Sequence, residues 1–152
     1  MVIRPATEAD IPAILALARI YMDESAYGYT FDVARSDRLI RAYLADEFHA
    51  VVVAEVEGNL AGIWIAAIIY EWMVEPLCYV SKFYTLPAYR GLGVGSALFG
   101  ALTDWTDTNG VMDTFVASTA NMDKSESFTA LAEAHGFIPL GPTMVRRKPQ
   151  QQ

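Results

Sequence analysis

The stretch LPAYRGLGVGSALFGAL, Leu86 to Leu102, places three glycines at alternate positions between an arginine and a long apolar run. A strand-like run, LCYVSKFYT over 77–85, precedes it, and the apolar residues from Val94 onward predict a helix over 94–107. A glycine-rich turn between a strand and a helix suits a small anion. The first N–H groups of a helix lack partners, and glycine lets phosphate oxygens approach the backbone. The stretch therefore predicts a phosphate-binding loop.

Three kinds of phosphate loop can be compared with this pattern. A Walker A loop ends in Gly-Lys-Ser/Thr, which is absent from the stretch. A dinucleotide fingerprint needs glycine or alanine where Ser96 stands, and it opens a parallel βαβ unit, whereas this loop follows an antiparallel-looking hairpin. The run Arg90-Gly91-Leu92-Gly93-Val94-Gly95 matches the third kind, the Arg/Gln-x-x-Gly-x-Gly/Ala signature of the GNAT superfamily of acyl-CoA-dependent N-acyltransferases, which the chain resembles. The alternative is a tight turn whose glycines only permit close helix packing.

The segments on either side of the loop extend this resemblance to nearly the whole chain. IRPATEADIPAI at the N-terminus is a common opening of the fold, and HGF, His135 to Phe137, follows the last predicted helix. The implied fold is a mixed α/β domain with a central, mostly antiparallel twisted sheet of about 6–7 strands flanked by about four helices. We expect a single N-acetyltransferase domain over 1–147 and a polar tail over 148–152.

Hydrophobic periodicity and turn residues predict the order of the elements. The run 60–70 is apolar at nearly every position, which is typical of a central strand covered on both faces. The predicted elements are a strand at 2–7, helices at 8–24 and 34–47, strands at 48–56, 60–70 and 77–85, a helix at 94–107, a strand at 112–118, a helix at 121–136, and one or two short strands in 137–147.

The composition narrows the classes of function. A chain of 152 residues that is 53% hydrophobic can bury one sizeable core, and a net charge of −7 disfavours nucleic acid as a partner. No apolar run approaches the roughly 20 residues of a membrane span, and the N-terminus lacks a secretory signature, so we expect a cytoplasmic protein without a membrane partner. Cys78 is the only cysteine, and His49 and His135 are the only histidines. Neither a disulfide framework nor a metal site is predicted.

The resemblance assigns the acyl donor, acetyl-CoA, to the loop and the strand before it. Backbone N–H groups from Arg90 to Ser96 would hold the pyrophosphate, with the arginine adding a charge-assisted contact. The strand at Phe83 to Thr85 would present its backbone to the pantetheine arm and to the thioester oxygen, next to a bulge that separates it from the following strand. The predicted donor-binding residues are Phe83, Tyr84, Thr85, Arg90, Gly91, Leu92, Gly93, Val94, Gly95, Ser96, Asn121, Lys124 and Ser127.

The proton-transfer groups are less clearly marked. A lysine-like amine, with a pKa of about 10.4, is the free base in only about one molecule in a thousand at pH 7, so a general base or a water relay is needed. The family often has an acidic residue where Ser81 stands, which leaves Glu71 and Glu24 as candidate bases. Many relatives also have a tyrosine acid where Ala132 stands. Tyr79 and Tyr84 are candidate substitutes, with Tyr84 preferred, and the alternative is that both are strand packing residues.

The resemblance places the acceptor between the first two helices and the connection after residue 70, where aromatic residues and carboxylates are concentrated. Aromatic rings beside carboxylates suit a cationic amine, so we expect a primary amine of a small molecule or peptide as the acceptor. Two alternatives stay open: the aromatics pack the fold or a homodimer interface, or the chain is a degenerate acyl-CoA-binding sensor. The residues concerned are Tyr21, Tyr27, Tyr29, Phe31, Trp72 and Met73, with Asp23, Glu24, Glu71 and Glu75.

Overall fold

The chain forms a central sheet with helices on both faces. A computed structural model describes residues 1–25, 27–117 and 125–141, together with 144, 146 and 148. Within these residues the sheet has five strands, which lie side by side in chain order; the first four are antiparallel to one another, and the fifth is parallel to the fourth. The strands are β1 (Val2–Pro5), β2 (His49–Val56), β3 (Asn59–Ile69), β4 (Leu77–Thr85) and β5 (Asp113–Val116). The helices are α1 (Ile11–Glu24), α2 (Val33–Ala45), α3 (Val94–Thr108) and α4 (Ser125–Ala134).

The predicted class, a mostly antiparallel sheet flanked by four helices, is confirmed, but the strand count of 6–7 is too high for the described residues, which contain five strands. Residues 137–141, where a further strand was expected, are irregular. Pro139 has no N–H to pair, and Gly141 has a φ of +116°, so neither suits a strand ladder. No helix among the described residues is long and apolar enough to cross a membrane.

The core has two layers, one on each face of the sheet. Alternate residues of β3 face opposite sides: Trp64 packs with Phe99 of α3, whereas Ile63 packs with Ile14 of α1. The predicted central position of this strand is therefore confirmed. Burial of each of these large side chains contributes about 1.5–3 kcal/mol to folding.

An ion-pair network fixes the start of α1 against the sheet. Arg4 on β1 donates two hydrogen bonds of 2.8 Å to Asp10 and one of 2.9 Å to Glu55 on β2. The carboxylate of Asp10 also accepts from the backbone N–H of Thr7 at 2.8 Å, which forms a capping box at the start of this helical segment. The Arg4 guanidinium holds the pKa of Asp10 well below its usual range.

Candidate active site

The sheet opens between its last two strands. β5 pairs with β4 only over Leu77–Val80, and β4 continues to Thr85 without a strand on that side in the described part of the chain. The backbone N–H and C=O groups of 81–85 on this side therefore line an open edge. An extended ligand can pair with such an edge as an additional strand does.

A bulge marks the point where the opening begins. Lys82 pairs with Ile65 and Val80 pairs with Ala66, so Ser81 is an extra residue on β4. Bulges increase the local twist and re-aim a strand, and the bulge implied by the resemblance is thus present. The Ser81 hydroxyl donates to the Ile65 carbonyl at 3.3 Å. Where the family often has an acidic residue, this chain therefore has a serine whose hydroxyl donates to the backbone of the neighbouring strand β3.

The glycine loop exposes backbone donors at the start of α3. Gly91 and Gly93 have φ values of +77° and +83°, which side-chain-bearing residues rarely adopt, and a Cβ at either position would meet open space. The first backbone hydrogen bond that reaches back across the start of α3 runs from the N–H of Ala97 to the carbonyl of Gly93, at 3.0 Å. The N–H groups of 94–96 precede it and have no helical acceptor. The loop therefore has the geometry of an anion cradle.

Two other glycines hold the loop close to the sheet and to α4. A Cβ at Gly95 would lie 2.8 Å from Leu131 Cδ2, and a Cβ at Gly62 on β3 would lie 2.8 Å from both the Tyr84 carbonyl oxygen and Leu98 Cδ1. Gly62 lies on the neighbouring strand and pairs with Thr85 of β4. It is not among the residues predicted for the site, although a glycine inside a strand pattern is a known signal of close backbone approach.

Three residues predicted for different roles meet in one cluster. Arg90 donates to both carboxylate oxygens of Glu24, at 2.5 and 2.7 Å, and to the carbonyl of Thr85, at 3.1 Å. The hydroxyl of Tyr84 donates to the same Glu24 carboxylate. Glu24 ends α1, so this cluster joins α1 to β4 and to Arg90, the first residue of the glycine loop.

The cluster fixes what each member can do chemically. Both oxygens of Glu24 are occupied by hydrogen bonds, which leaves it poorly placed to accept a proton from a substrate. Tyr84 is 4% exposed; burial, and then the neighbouring Glu24 carboxylate, raise the pKa of its phenol. The phenol therefore stays protonated at neutral pH and is a donor. The guanidinium of Arg90 is engaged with Glu24 and Thr85, and its pyrophosphate contact stays a prediction.

Glu71, the other candidate base, lies apart from this cluster. It is exposed on the connection after β3, at the end of the sheet where Ile69 pairs with Leu77. Tyr84 is seven residues further along β4, which corresponds to about 23 Å at 3.3 Å per residue. The structure therefore brings Glu24 and Tyr84 together but does not bring Glu71 to them.

The remaining predicted donor residues occupy the α3–α4 face or lie outside the described residues. Phe83 stacks against Phe99 with ring centroids 4.2 Å apart, so its side chain belongs to the core and only its backbone faces the opening. Ser96 is exposed and hydrogen-bonds Nε2 of His135 at 3.0 Å, while Ser127 is exposed on α4. Asn121 and Lys124 lie outside the described residues.

Two further side chains on β4, Cys78 and Lys82, differ in their exposure to solvent. The Cys78 thiol is fully buried, and burial raises its pKa to about 11, so it is inert as a nucleophile. Lys82, which the sequence analysis did not single out, is exposed directly after the bulge. The described residues contain no group of three His, Cys, Asp or Glu side chains placed to hold a metal ion.

Comparison with known proteins identifies the family of the chain that carries this opening. The family model described as "Acetyltransferase (GNAT) family" matches residues 14–137. The chain belongs to the GNAT acetyltransferase family. A phosphinothricin N-acetyltransferase from Streptomyces viridochromogenes is 31% identical over 146 residues, which cover 91% of this chain and 75% of that protein.

Solved structures share the fold of this acetyltransferase. An aminoglycoside antibiotic 6′-N-acetyltransferase from Acinetobacter haemolyticus gives a TM-score of 0.74 at 20% identity, with 99% of this chain and 100% of that chain covered. AAC(6′)-Iy, solved in complex with the bisubstrate analogue CoA-S-monomethyl-acetylneamine, gives a TM-score of 0.75 at 18% identity, with 98% of both chains covered. At these identities the likeness establishes the fold, and the acceptor has to be argued from this chain's own residues.

Proposed function

We propose that this GNAT acetyltransferase transfers the acetyl group of acetyl-CoA to a primary amine of a small molecule or peptide, by direct attack in a ternary complex. One observation carries the proposal: the unpaired N–H groups after Gly93 lie next to the open edge of β4. A pyrophosphate and an extended pantetheine arm need these two features side by side. The phosphinothricin N-acetyltransferase at 31% identity supports a small amine as acceptor.

The chain's own residues would divide the work as follows. The loop backbone at 91–96 binds the pyrophosphate, and the edge of β4 at 83–85 aligns the arm and donates a backbone N–H to the thioester oxygen. The Tyr84 hydroxyl donates its single proton to Glu24, and its raised pKa makes it a weak acid, so it holds Glu24 against β4 and does not protonate the departing thiolate. When bound, acetyl-CoA supplies the activated acetyl group. A thiol with a pKa of about 8.5 is already a tolerable leaving group, so this scheme needs no acid from the cluster.

Removal of the amine proton falls to solvent in this scheme. Both carboxylate oxygens of Glu24 accept hydrogen bonds from Arg90 or Tyr84, and Glu71 lies beyond the far end of β4. We therefore expect the acceptor to react from its free-base fraction. The rate at subsaturating acceptor then rises about tenfold per pH unit until the pKa of the amine is reached. A plateau that begins at neutral pH with an acceptor of high pKa would instead reveal a base on the protein.

A matched pair of glycine substitutions tests the donor site. Gly93 and Gly110 both have positive φ and open space around a Cβ, but only Gly93 lies in the loop. Gly93→Ala and Gly110→Ala should each cost about 1 kcal/mol of stability through backbone strain. Acetyl-CoA at 100 times its Kd should stabilise the wild type and Gly110→Ala by about 2.7 kcal/mol, which is a Tm rise of about 5–10 °C. Gly93→Ala should lose most of this rise, and an equal rise in all three proteins would exclude the loop as the donor site.

Release of thiol from acetyl-CoA in the presence of a panel of amines tests the transfer itself. Turnover with any primary amine supports the enzyme. Acetyl-CoA binding without turnover on the whole panel would favour an acyl-CoA sensor. That alternative rests on Ser81 and Ala132, which stand where the family has its acidic residue and its tyrosine.

A further inference from the structure

Lys82 occupies a singular place in the opening. It is one of three lysines in the chain and the first residue after the bulge in β4. Its strand partner Ile65, and the next pair on the same face, Ile63 and Tyr84, belong to the core layer covered by α1 and α2. Because alternate residues share a face, Lys82 lies on the side of β4 that carries the Glu24 cluster. This is the acceptor side of the sheet.

The ammonium of Lys82 has no countercharge there. The ammonium donates a hydrogen bond of 3.0 Å to the carbonyl of Ser81, and no carboxylate of the described residues lies within 4 Å of it. Glu24 on the same face is already paired with Arg90. Although Lys82 reaches solvent, surrounding protein atoms remove part of its hydration and lower the pKa of the ammonium. A cation with no carboxylate beside it can pair with an anionic group of a ligand without first breaking an ion pair.

We propose that Lys82 binds an anionic group of the acceptor, so that the acceptor is a zwitterion of the amino acid type whose carboxylate lies close to the reacting amine. This inference rests on the proposed function and selects among its substrates. A polycationic amine would place like charge beside Lys82, whereas a carboxylate would complete the site with a charge-assisted hydrogen bond. The pyrophosphate is a less suitable partner. From Lys82 to Thr85, β4 alone spans about 10 Å, and the glycine loop begins only after a further turn.

Acceptor pairs that differ only in the anion test the proposal. Glycine, L-methionine and L-glutamate are each compared with their α-carboxamides at saturating acetyl-CoA, in the wild type and in Lys82→Met. Since a hydrogen bond to a charged group contributes about 1.5–3 kcal/mol, we expect Lys82→Met to raise KM for the acids about 10- to 100-fold. KM for the amides and for acetyl-CoA should stay within about threefold, because neither makes this contact. Lys82→Arg should recover much of the loss for the acids, since it restores the positive charge.

Lys148→Met, which removes the same charge from the polar C-terminal segment, serves as the matched control and should change nothing. The proposal is overturned if Lys82→Met shifts KM for acids and amides equally, if it acts on KM for acetyl-CoA instead, or if amines are acetylated while no acid is preferred to its amide. Absence of transfer to every amine would overturn the proposed function itself. A melting curve of Lys82→Met within about 1 °C of the wild type is expected for an exposed side chain and separates binding from folding.

Discussion

Replacement of Glu24 by glutamine tests whether the contact between α1 and the glycine loop is structural. Arg90 and Glu24 form a bidentate pair at 2.5 and 2.7 Å, with side chains 24% and 30% exposed. Fully exposed pairs contribute about 0.2–1 kcal/mol, and the loss of one partner of a buried pair costs about 3–5 kcal/mol. For this partly buried pair we expect Glu24→Gln to lower the free energy of unfolding by about 2 kcal/mol, or about 4–8 °C in Tm.

Urea unfolding of Glu24→Gln, Arg90→Gln and the double variant isolates the pair. We expect a coupling free energy of about 1–2 kcal/mol, because the double variant leaves no unpaired charge. Asp37→Asn breaks the exposed pair with Arg41 on α2, at 3.0 Å, and should cost less than about 0.5 kcal/mol. A coupling free energy between Glu24 and Arg90 below about 0.5 kcal/mol, the cost expected for breaking the exposed pair, would show that the contact does not stabilise the fold.

The same variants distinguish bracing from direct donor binding by Arg90. If the guanidinium braces the start of the loop, both Glu24→Gln and Arg90→Gln should weaken acetyl-CoA binding, by about 3- to 10-fold, through lost preorganisation. If Arg90 instead serves the pyrophosphate and Glu24 competes for it, Glu24→Gln should tighten binding. Isothermal titration with acetyl-CoA reads the sign directly, and tighter binding in Glu24→Gln would refute the bracing interpretation.

Three further predictions concern the cluster, the close approaches and the N-terminal network. Tyr84→Phe should lower the free energy of unfolding by about 1–3 kcal/mol, because it removes a hydrogen bond to the Glu24 carboxylate, and should leave kcat within about threefold of the wild type. Since the pKa of Tyr84 is raised above its unfolded value of 10.0, its contribution to stability is complete below pH 10 and is lost as pH rises further; urea titrations at pH 8 and pH 11 measure this difference. Gly62→Ala should lower the free energy of unfolding by about 2–3 kcal/mol, since its Cβ meets a backbone carbonyl. Gly95→Ala should lower it by about 1 kcal/mol, since the nearest atom to its Cβ is the end of a leucine side chain. Equal losses of stability on thermal unfolding would contradict this contrast. Asp10, whose pKa is depressed by Arg4, stabilises the fold above its unfolded pKa of 3.8 and loses that effect as pH falls; Asp10→Asn should therefore destabilise the protein by about 1–2 kcal/mol at pH 7 and flatten the acid limb of its stability curve.

The parts of the fold that follow local rules were predictable from the sequence. The glycine spacing, the apolar run of β3 and the cap at Asp10 each depend on neighbours within a few residues. The strand expected in 137–147 was inferred from isolated apolar residues, and in 137–141 Pro139 and Gly141 outweigh them.

The candidate site depends on long-range contacts that carry no local signal. Glu24 and Arg90 are 66 residues apart in the sequence, so nothing in either segment announces their pairing. Lys82 became informative only when the extra residue at Ser81 fixed the register of β4 and thereby the face on which the lysine lies. The glycine loop was therefore predictable from the sequence, whereas the positions of Glu24 and Lys82 relative to it required the sheet.

The proposed scheme without a protein base and the position of Lys82 support the same kind of acceptor. Without a protein base, the rate follows the free-base fraction of the amine. At pH 7.5 an α-amine of pKa about 8 exceeds a lysine-like amine of pKa about 10.4 in that fraction by about 200-fold. A neighbouring carboxylate would hold a proton on the α-amine and reduce this advantage. The Lys82 ammonium, by pairing with that carboxylate and placing positive charge near the amine, would weaken this hold. One residue would thus both bind an amino-acid-like acceptor and favour its reactive form, which would allow transfer with Ser81 in place of the family's acid.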